Sequence, residues 1–181
     1  MTIQKFRKLD LLVLTILAVI SDLLIAIFGI LNISLFLSIA FPILILVFVR
    51  WHPFGFITQG IIMLSHLLIF GLFSDNGWLV ALLHSASILG FTLSYTVINK
   101  YGKKTSIGFQ HIFTAFMLGY IGFILLSWGL YHLINPIRLD AILISHSINM
   151  LLGLGLLLLI NRQKVLLVNM VSYLLEKNEE K

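Results

Sequence analysis

Six apolar segments divide this chain, and their lengths constrain its fold more than any other feature. Each is close to the ~20 residues that an α-helix needs to cross a bilayer. They cover residues 10–31, 33–49, 54–73, 78–98, 109–134 and 140–160. Residues typical of turns stand between them, including Asn32, Pro53, Gly77, Gly102 and Pro136. The sequence therefore predicts an all-α integral membrane protein, with six transmembrane helices in a single bundle.

The composition agrees with this class. Hydrophobic residues make up 60% of the 181, charged residues make up 10%, and the mean hydropathy is +1.08. A soluble domain carries about 25% charged residues. The chain has no cysteine, which excludes a disulfide framework and a thiolate metal site. We attribute the net charge of +5 to basic loops and expect no nucleic-acid partner.

The basic residues predict the orientation of the bundle. With the N-terminus inside, only Arg138 of the twelve Lys and Arg residues falls on the outer side. The predicted inner ends and loops hold Lys5, Arg7, Lys8, Arg50, Lys100, Lys103, Lys104, Arg162, Lys164, Lys177 and Lys181. This asymmetry is typical of a multi-pass protein with both termini in the cytoplasm.

Three regions follow from this topology. Residues 1–9 form a cytoplasmic N-terminus, 10–160 the six-helix transmembrane domain, and 161–181 a cytoplasmic helical extension and tail. We expect the extension to continue the last helix. The basic start resembles that of a signal peptide, but the first segment is too long and lacks a clear small-x-small cleavage site. It is interpreted as a retained helix.

Three histidines, His66, His84 and His146, fall at nearly the same depth in three different segments. At 1.5 Å per residue, each lies roughly 9–10 Å below the outer surface. A buried imidazole needs a polar partner, so three in one layer predict a site. The alternative is that each histidine only hydrogen-bonds a neighbouring helix. The nearby serines, Ser65, Ser85, Ser145 and Ser147, have the same two interpretations: they orient an imidazole or they pack helices.

The aromatic residues near the outer rim also have two interpretations. His132 shares this rim with Trp78, Trp128 and Tyr131. The four residues are typical of an interfacial belt, or they cover a binding pocket. His52 and His111 belong to the opposite side and are interpreted as interfacial.

Asp22 is the only carboxylate deep in any predicted span. A charge at that depth costs at least ~2.5 kcal/mol on insertion scales. Asp22 must therefore be protonated, paired or facing a cavity, and no intramembrane Lys or Arg is available as its partner. A proton relay, a hydrogen-bonded structural carboxyl and a protein–protein contact all remain open.

Motifs of hydrolysis and phosphoryl transfer are absent from the sequence. It contains no Ser-x-x-Lys, His-Glu-x-x-His or Gly-x-Ser-x-Gly pattern and no Walker motif. We therefore expect a protein that is not an enzyme. Any transport driven by ATP would need a separate motor subunit.

Several stretches resemble the substrate-binding S component of energy-coupling factor (ECF) transporters. The stretch Lys8–Ala18 is similar to the family's first helix, and 41–60, with Pro53-Phe54-Gly55-Phe56, to its second helix and the turn into the third. Ile160-Asn161-Arg162, with the apolar-rich run that follows, resembles the end of the sixth helix. The resemblance implies a bacterial cytoplasmic membrane protein with a pocket open to the outside. Its implied partners are a membrane coupling subunit and two ATPase subunits.

One position departs from the family pattern. The family's first helix carries an Ala-x-x-x-Ala surface that packs on the coupling subunit. This chain has Ala18-x-x-x-Asp22-x-x-x-Ala26 instead. Small residues four apart allow close helix approach. The resemblance therefore implies a partner contact at Ala18, Asp22 and Ala26, altered by the acid.

The resemblance to S components and the layer of three histidines together favour haem as the substrate. Nickel and cobalt members of the family begin with a His-bearing N-terminus, which Met1-Thr2-Ile3 lacks. A Phe-, Leu- and Trp-lined cavity suits the haem ring, and His ligates its iron axially. We expect His66, His84 or His146 to be such ligands, with haem as substrate and no permanent cofactor. The alternatives are a vitamin-specific S component, a b-type membrane cytochrome with two His ligands, and a scaffold whose histidines only pack.

Overall fold

The computed structural model describes residues 2–28, 37–73, 77–101, 107–134, 136 and 138–179. These residues form eight α-helices: α1 (Ile3–Ile27), α2 (Ala40–Trp51), α3 (Gly55–Phe73), α4 (Gly77–Ser87), α5 (Thr92–Tyr101), α6 (Phe109–His132), α7 (Leu139–Arg162) and α8 (Met170–Glu179). Short 3-10 turns at His52–Phe54, Ile88–Phe91 and Lys164–Leu167 join α2 to α3, α4 to α5 and α7 towards α8. The all-helical class is confirmed for the described part of the chain.

Five helical stretches among the described residues are long and apolar enough to cross a membrane. They are Ile3–Ile27, Ala40–Phe73, Gly77–Tyr101, Phe109–His132 and Leu139–Arg162. Large apolar side chains remain exposed along their outer faces, such as Leu64 at 63% and Leu151 at 64%. Such exposed apolar side chains suit contact with lipid. The prediction of a helical membrane protein is therefore confirmed, with five candidate spans among the described residues.

The predicted second segment, 33–49, differs most from the structure. Residues 33–36 lie outside the described residues, and α2 has only 12 residues, or about 18 Å of helix. All twelve are buried, and α1, α3, α5, α6, α7 and α8 pack around them. A helix that other helices bury on every side belongs to the core of the bundle. We therefore describe α2 as a short central helix.

The chain turns sharply where α2 ends. His52 has a φ of 50°, an uncommon conformation for a residue with a side chain, and Pro53 follows it in the 3-10 turn. The chain then enters α3, which packs against α2. We call the side of the bundle that holds this corner the proximal side. The opposite side, where α1 and α3 end and α4 begins, is the distal side.

Glycines bring α4 and α5 onto α6. A Cβ atom at Gly90, in the 3-10 turn between α4 and α5, would collide with the backbone of Gly122 and Phe123. Small residues permit such close helix contact. Across the turn, Gln59 of α3 donates a hydrogen bond to the Ile88 carbonyl (2.8 Å). This packing holds α4 next to Phe123, which borders the site described below.

The C-terminal segment does not continue the last helix, so that prediction was wrong. Helix α7 ends at Arg162, and Gln163 has non-helical dihedral angles (φ −98°, ψ 75°). The buried guanidinium of Arg50 donates to the Leu166 carbonyl (3.2 Å). The side-chain oxygen of Asn169 accepts from backbone N–H groups at the start of α8, as a cap does. These bonds draw the segment back against α2.

Candidate functional site

The site begins with Asp22 of α1, whose carboxylate lies against the N-terminus of α2. Its Oδ1 accepts hydrogen bonds from the backbone N–H groups of Ile39 (2.8 Å) and Ala40 (3.3 Å). Its Oδ2 accepts from the Ser38 hydroxyl (2.5 Å). The first N–H groups of a helix have no partner within that helix, and its dipole favours an anion there. The carboxylate of α1 thus caps α2 and stabilises a helix start inside the bundle.

His66 of α3 joins the carboxylate to a second imidazole. Its Nε2 lies 2.7 Å from Asp22 Oδ2, and its Nδ1 lies 3.3 Å from His84 Nε2 of α4. The two rings are nearly parallel, with 3° between their planes. Asp22, His66 and His84 are only 4%, 1% and 4% exposed. We call these three residues the Asp-His-His chain.

The hydrogen-bond pattern assigns donors and acceptors along this chain. Asp22 receives four hydrogen bonds, which suits an ionised carboxylate because that form only accepts. His66 then carries its proton on Nε2, and in its neutral form Nδ1 accepts from His84 Nε2–H. The three side chains therefore form one continuous hydrogen-bonded path from the start of α2 to α4.

Aromatic rings surround the two imidazoles. The His84 ring centroid lies 4.2 Å from that of Phe70 and 5.6 Å from that of Phe123. The His66 ring lies 5.7 Å from Phe41 and 5.9 Å from Phe70. These rings exclude water, and hydrogen bonds between charged or polar groups are stronger in such a low-dielectric setting.

His146 lies on the other side of Phe123. Its ring stands perpendicular to that of Phe123, at a centroid distance of 5.0 Å, and the residue is 6% exposed. The three predicted histidines are therefore all buried around one cluster of aromatic side chains. His66 and His84 are in direct contact through their ring nitrogens.

A second polar network links His146 to the Asp-His-His chain. Asn149 donates from Nδ2 to the Tyr120 hydroxyl (2.7 Å), which in turn donates to the His146 carbonyl (3.4 Å). The Asn149 side-chain oxygen accepts from the backbone N–H of Ser38 (2.7 Å). Ser38 thus takes part in both networks, through its backbone and through its hydroxyl. Sequence reasoning missed Ser38, Tyr120 and Asn149, although Asn149 follows His146 by one helical turn.

The four serines beside the histidines bond to backbone carbonyls. Three of them donate within their own helix: Ser65 to Ile62, Ser145 to Ile142 and Ser147 to Ile144. Ser85 of α4 donates across to the Met63 carbonyl of α3 (2.6 Å). None of these four bonds reaches an imidazole, and only the bond of Ser85 joins two helices.

The predicted rim residues lie nearer the distal helix ends. Trp78 is 52% exposed and covers Gly71 of α3. Tyr131 donates to the Val80 carbonyl of α4 (3.5 Å). Trp128 is partly buried and lies 5.6 Å, between ring centroids, from the exposed His132 one turn further along. The positions suit a belt that joins α3, α4 and α6 at this side.

The residues of α1 that were expected to contact a partner are buried within this chain. Ala18, Asp22 and Ala26 are 0%, 4% and 6% exposed, so this chain itself covers the face that they form. The reason is the carboxylate, which needs the donors of Ser38, α2 and His66 and turns its whole face inward. The opposite face of α1 is apolar and exposed, with Leu12 at 55%.

The proximal side carries a separate polar cluster. Asp10 accepts from Arg50 Nε (2.8 Å) and from the Trp51 indole N–H (2.6 Å). His52 accepts a hydrogen bond from Asn169 (2.9 Å). His111 stacks on Tyr101, with 4.0 Å between ring centroids. His52 and His111 thus have separate partners at this side.

Comparisons with known proteins provide no family for this chain. No protein-family model, no curated protein and no solved structure matches it. Within the described part of the chain, no three His, Asp or Glu side chains are arranged to hold a metal ion. The function is therefore inferred from the geometry of the Asp-His-His chain and its aromatic walls.

Proposed function

We propose that this chain is the substrate-binding subunit of a bacterial uptake transporter, similar to the S component of ECF transporters. A coupling subunit and two ATPases would supply the energy. The observation that carries the proposal is the Asp-His-His chain, since α1, α3, α4 and the start of α2 bring hydrogen-bonding side chains to one buried point. Membrane proteins keep buried ionisable groups mainly where function requires them.

The proposal includes six crossings with both termini in the cytoplasm. Asp10 near the start of α1 contacts Arg50 at the end of α2, and Arg50 contacts Leu166 beyond the end of α7. These contacts support a common side for the beginning of α1 and the end of α7, which an even number of crossings requires. In this topology the Asp-His-His chain lies in the outer leaflet.

Haem is the first substrate to test. Phe41, Phe70 and Phe123 supply an apolar wall for the ring, and imidazole is an axial ligand for iron. The Asp22–His66 pair resembles the carboxylate–histidine pairs that orient a metal-ligating imidazole. We therefore propose His66, His84 or His146 as the axial ligand, with Asp22 orienting His66.

A vitamin-like substrate is the second candidate. The hydrogen bonds from Asp22 through His66 to His84 favour it, because a polar ligand can replace one of them with an equivalent hydrogen bond. Such a ligand would give no axial-ligand spectrum. The b-type cytochrome has less support, because His52 and His111 bond to different residues and form no second pair.

Titration of the purified protein with haem and with common vitamins tests the substrate. We expect at least one of His66→Ala, His84→Ala and His146→Ala to change the Soret spectrum of the haem complex. His132→Ala is the matched control, because His132 is an exposed imidazole at the rim. An identical spectrum in His66→Ala, His84→Ala and His146→Ala would contradict haem ligation by these residues.

Co-purification tests the subunit role separately. The tagged chain, isolated from its own membrane, is expected to carry a membrane coupling subunit and ATPase subunits. If an intact, ligand-binding preparation repeatedly carries no ATPase, the chain does not work as an S component.

A further inference from the structure

An apolar groove runs between α1 and α3, away from the Asp-His-His chain. Its volume is about 640 Å³. The α1 side is formed by Lys8, Leu11, Leu12, Thr15, Ile16, Val19 and Ile20, and the α3 side by Ile57, Thr58 and Ile61. A hydrogen bond between the Thr15 and Thr58 hydroxyls (2.9 Å) joins the two helices and satisfies both polar groups. What remains open to the groove is almost entirely hydrocarbon.

The length of the groove matches one leaflet of a bilayer. Lys8 and Ile20 are twelve residues apart on α1, which corresponds to about 18 Å along the helix axis. Half of the hydrocarbon core of a bilayer is roughly 15 Å thick. The groove therefore extends from the proximal surface to about the middle of the membrane.

The shape of the groove suits an acyl chain. Apolar side chains line it from Leu11 to Ile20 on α1, and Ile57 and Ile61 continue this lining on α3. An unbranched hydrocarbon chain can follow these side chains and gain van der Waals contact along them.

Charge at the proximal end of the groove is positive. Lys8 supplies the one charge among the described residues that line it, and it is exposed. Lys5 lies one turn earlier on α1 and is also exposed. Arg7 turns away, since its guanidinium lies 3.7 Å from the Phe54 ring centroid. Basic residues at a membrane surface attract anionic lipid headgroups.

We propose that this groove binds an anionic phospholipid, with an acyl chain along α1 and α3 and its phosphate at Lys8. The site goes beyond the proposed transport function and does not depend on it. A lipid bound there would cover the exposed Leu12 and Ile16. It would also stabilise the packing of α1 on α3 in the proximal half of the membrane, away from the Asp-His-His chain.

Native mass spectrometry of the detergent-solubilised chain tests the proposal, with phosphatidylglycerol and phosphatidylcholine of identical acyl chains as probes. The wild-type protein is expected to retain one phosphatidylglycerol in preference to phosphatidylcholine. Ile16→Trp fills the groove and should remove both lipids. Lys8→Gln should keep the acyl site but lose about fivefold in preference for phosphatidylglycerol.

Two control variants and a second groove-filling variant complete the experiment. Leu151→Trp adds the same ring at an exposed position of α7, and Lys177→Gln removes a charge from α8; both should bind as the wild type does. If Ile16→Trp fails to fold, Leu12→Trp fills the same groove and takes its place. Equal lipid binding by the groove-filling and control variants would overturn the proposal. So would a dimer of this chain that Ile16→Trp abolishes, because it would assign the groove to a second copy.

Discussion

At the scale of single residues, Asp22 determines where α2 begins. One carboxylate satisfies two backbone N–H groups, a hydroxyl and an imidazole, all in the interior. Removing it would take a hydrogen-bond acceptor away from each of these four groups. The same residue therefore supports the fold and joins the histidines of the site to the start of α2.

We predict that Asp22→Ala lowers the stability of the protein strongly. Loss of one partner from a buried pair costs about 3–5 kcal/mol. The midpoint of thermal unfolding in detergent measures the effect. Asp140→Ala is the matched control: its ion pair with Arg138 is exposed, and exposed pairs contribute about 0–1 kcal/mol. Equal midpoints for the two variants would show that Asp22 has no such role.

A double-mutant cycle isolates the contact between Asp22 and His66. We expect the single changes to alanine and the double change to be non-additive by roughly 0.5–3 kcal/mol, as for residues in one hydrogen-bond network. The control cycle pairs Asp22→Ala with Asn169→Ala. Asn169 bonds to His52 at the proximal side, so these two changes should add within about 0.5 kcal/mol. Strict additivity in both cycles would contradict the hydrogen bond.

The sequence predicts the depth of a residue in a helix but not the direction in which it points. Depth alone placed His66, His84 and His146 in one layer, and all three are buried around the same aromatic cluster. The rotation of each helix about its axis decides which of them meet. That rotation depends on packing partners such as Phe123. For the same reason, no local pattern indicated that Ser38 bonds to Asn149, more than a hundred residues away.

At the scale of helices, glycine contacts position the wall of the site. Gly90 in the turn between α4 and α5 touches the backbone of α6 at Gly122. His84 precedes this turn and Phe123 follows Gly122. Their ring contact therefore depends on the close approach of the two backbones.

We predict that Gly90→Ala destabilises the bundle by more than about 2 kcal/mol and alters ligand binding. The added methyl group collides with backbone atoms that have no room to move, and overpacking of this kind typically costs about 1–3 kcal/mol or more. Gly129→Ala on α6 is the control, because nothing lies within 4 Å of its added Cβ. Alanine there should be neutral or stabilise the helix by about 1 kcal/mol. Equal unfolding midpoints for the two variants would contradict the contact.

The hydropathy pattern does not distinguish a membrane span from a core helix. Residues 40–49 are all apolar, which suits lipid and protein interior equally well. The start of α2 depends on Asp22, and its end depends on the unusual backbone conformation of His52. Neither feature is visible in a hydropathy window. The sequence also gives no local sign of where α7 ends. The Arg50 contact that holds Leu166 against α2 comes from a distant part of the chain.

At the scale of the whole molecule, the charge distribution and the contacts both support the proposed topology. Eleven of the twelve basic residues are predicted on the N-terminal side. The Asp10–Arg50 pair and the Arg50–Leu166 hydrogen bond join the ends of the bundle there. These observations support the proposal that both termini lie on the same side of the membrane.

The absence of cysteine allows a direct test of this topology. Single cysteines at Gln4, Asp140 and Glu176, all exposed positions, can be treated with a membrane-impermeant maleimide in intact cells and again after permeabilisation. We expect Asp140→Cys to react in intact cells, and Gln4→Cys and Glu176→Cys to react only once the membrane is opened. The cysteine-free wild type controls for background labelling. Reaction of Glu176→Cys but not Gln4→Cys in intact cells would require an odd number of crossings, and the contacts among Asp10, Arg50 and Leu166 could not then form within one chain.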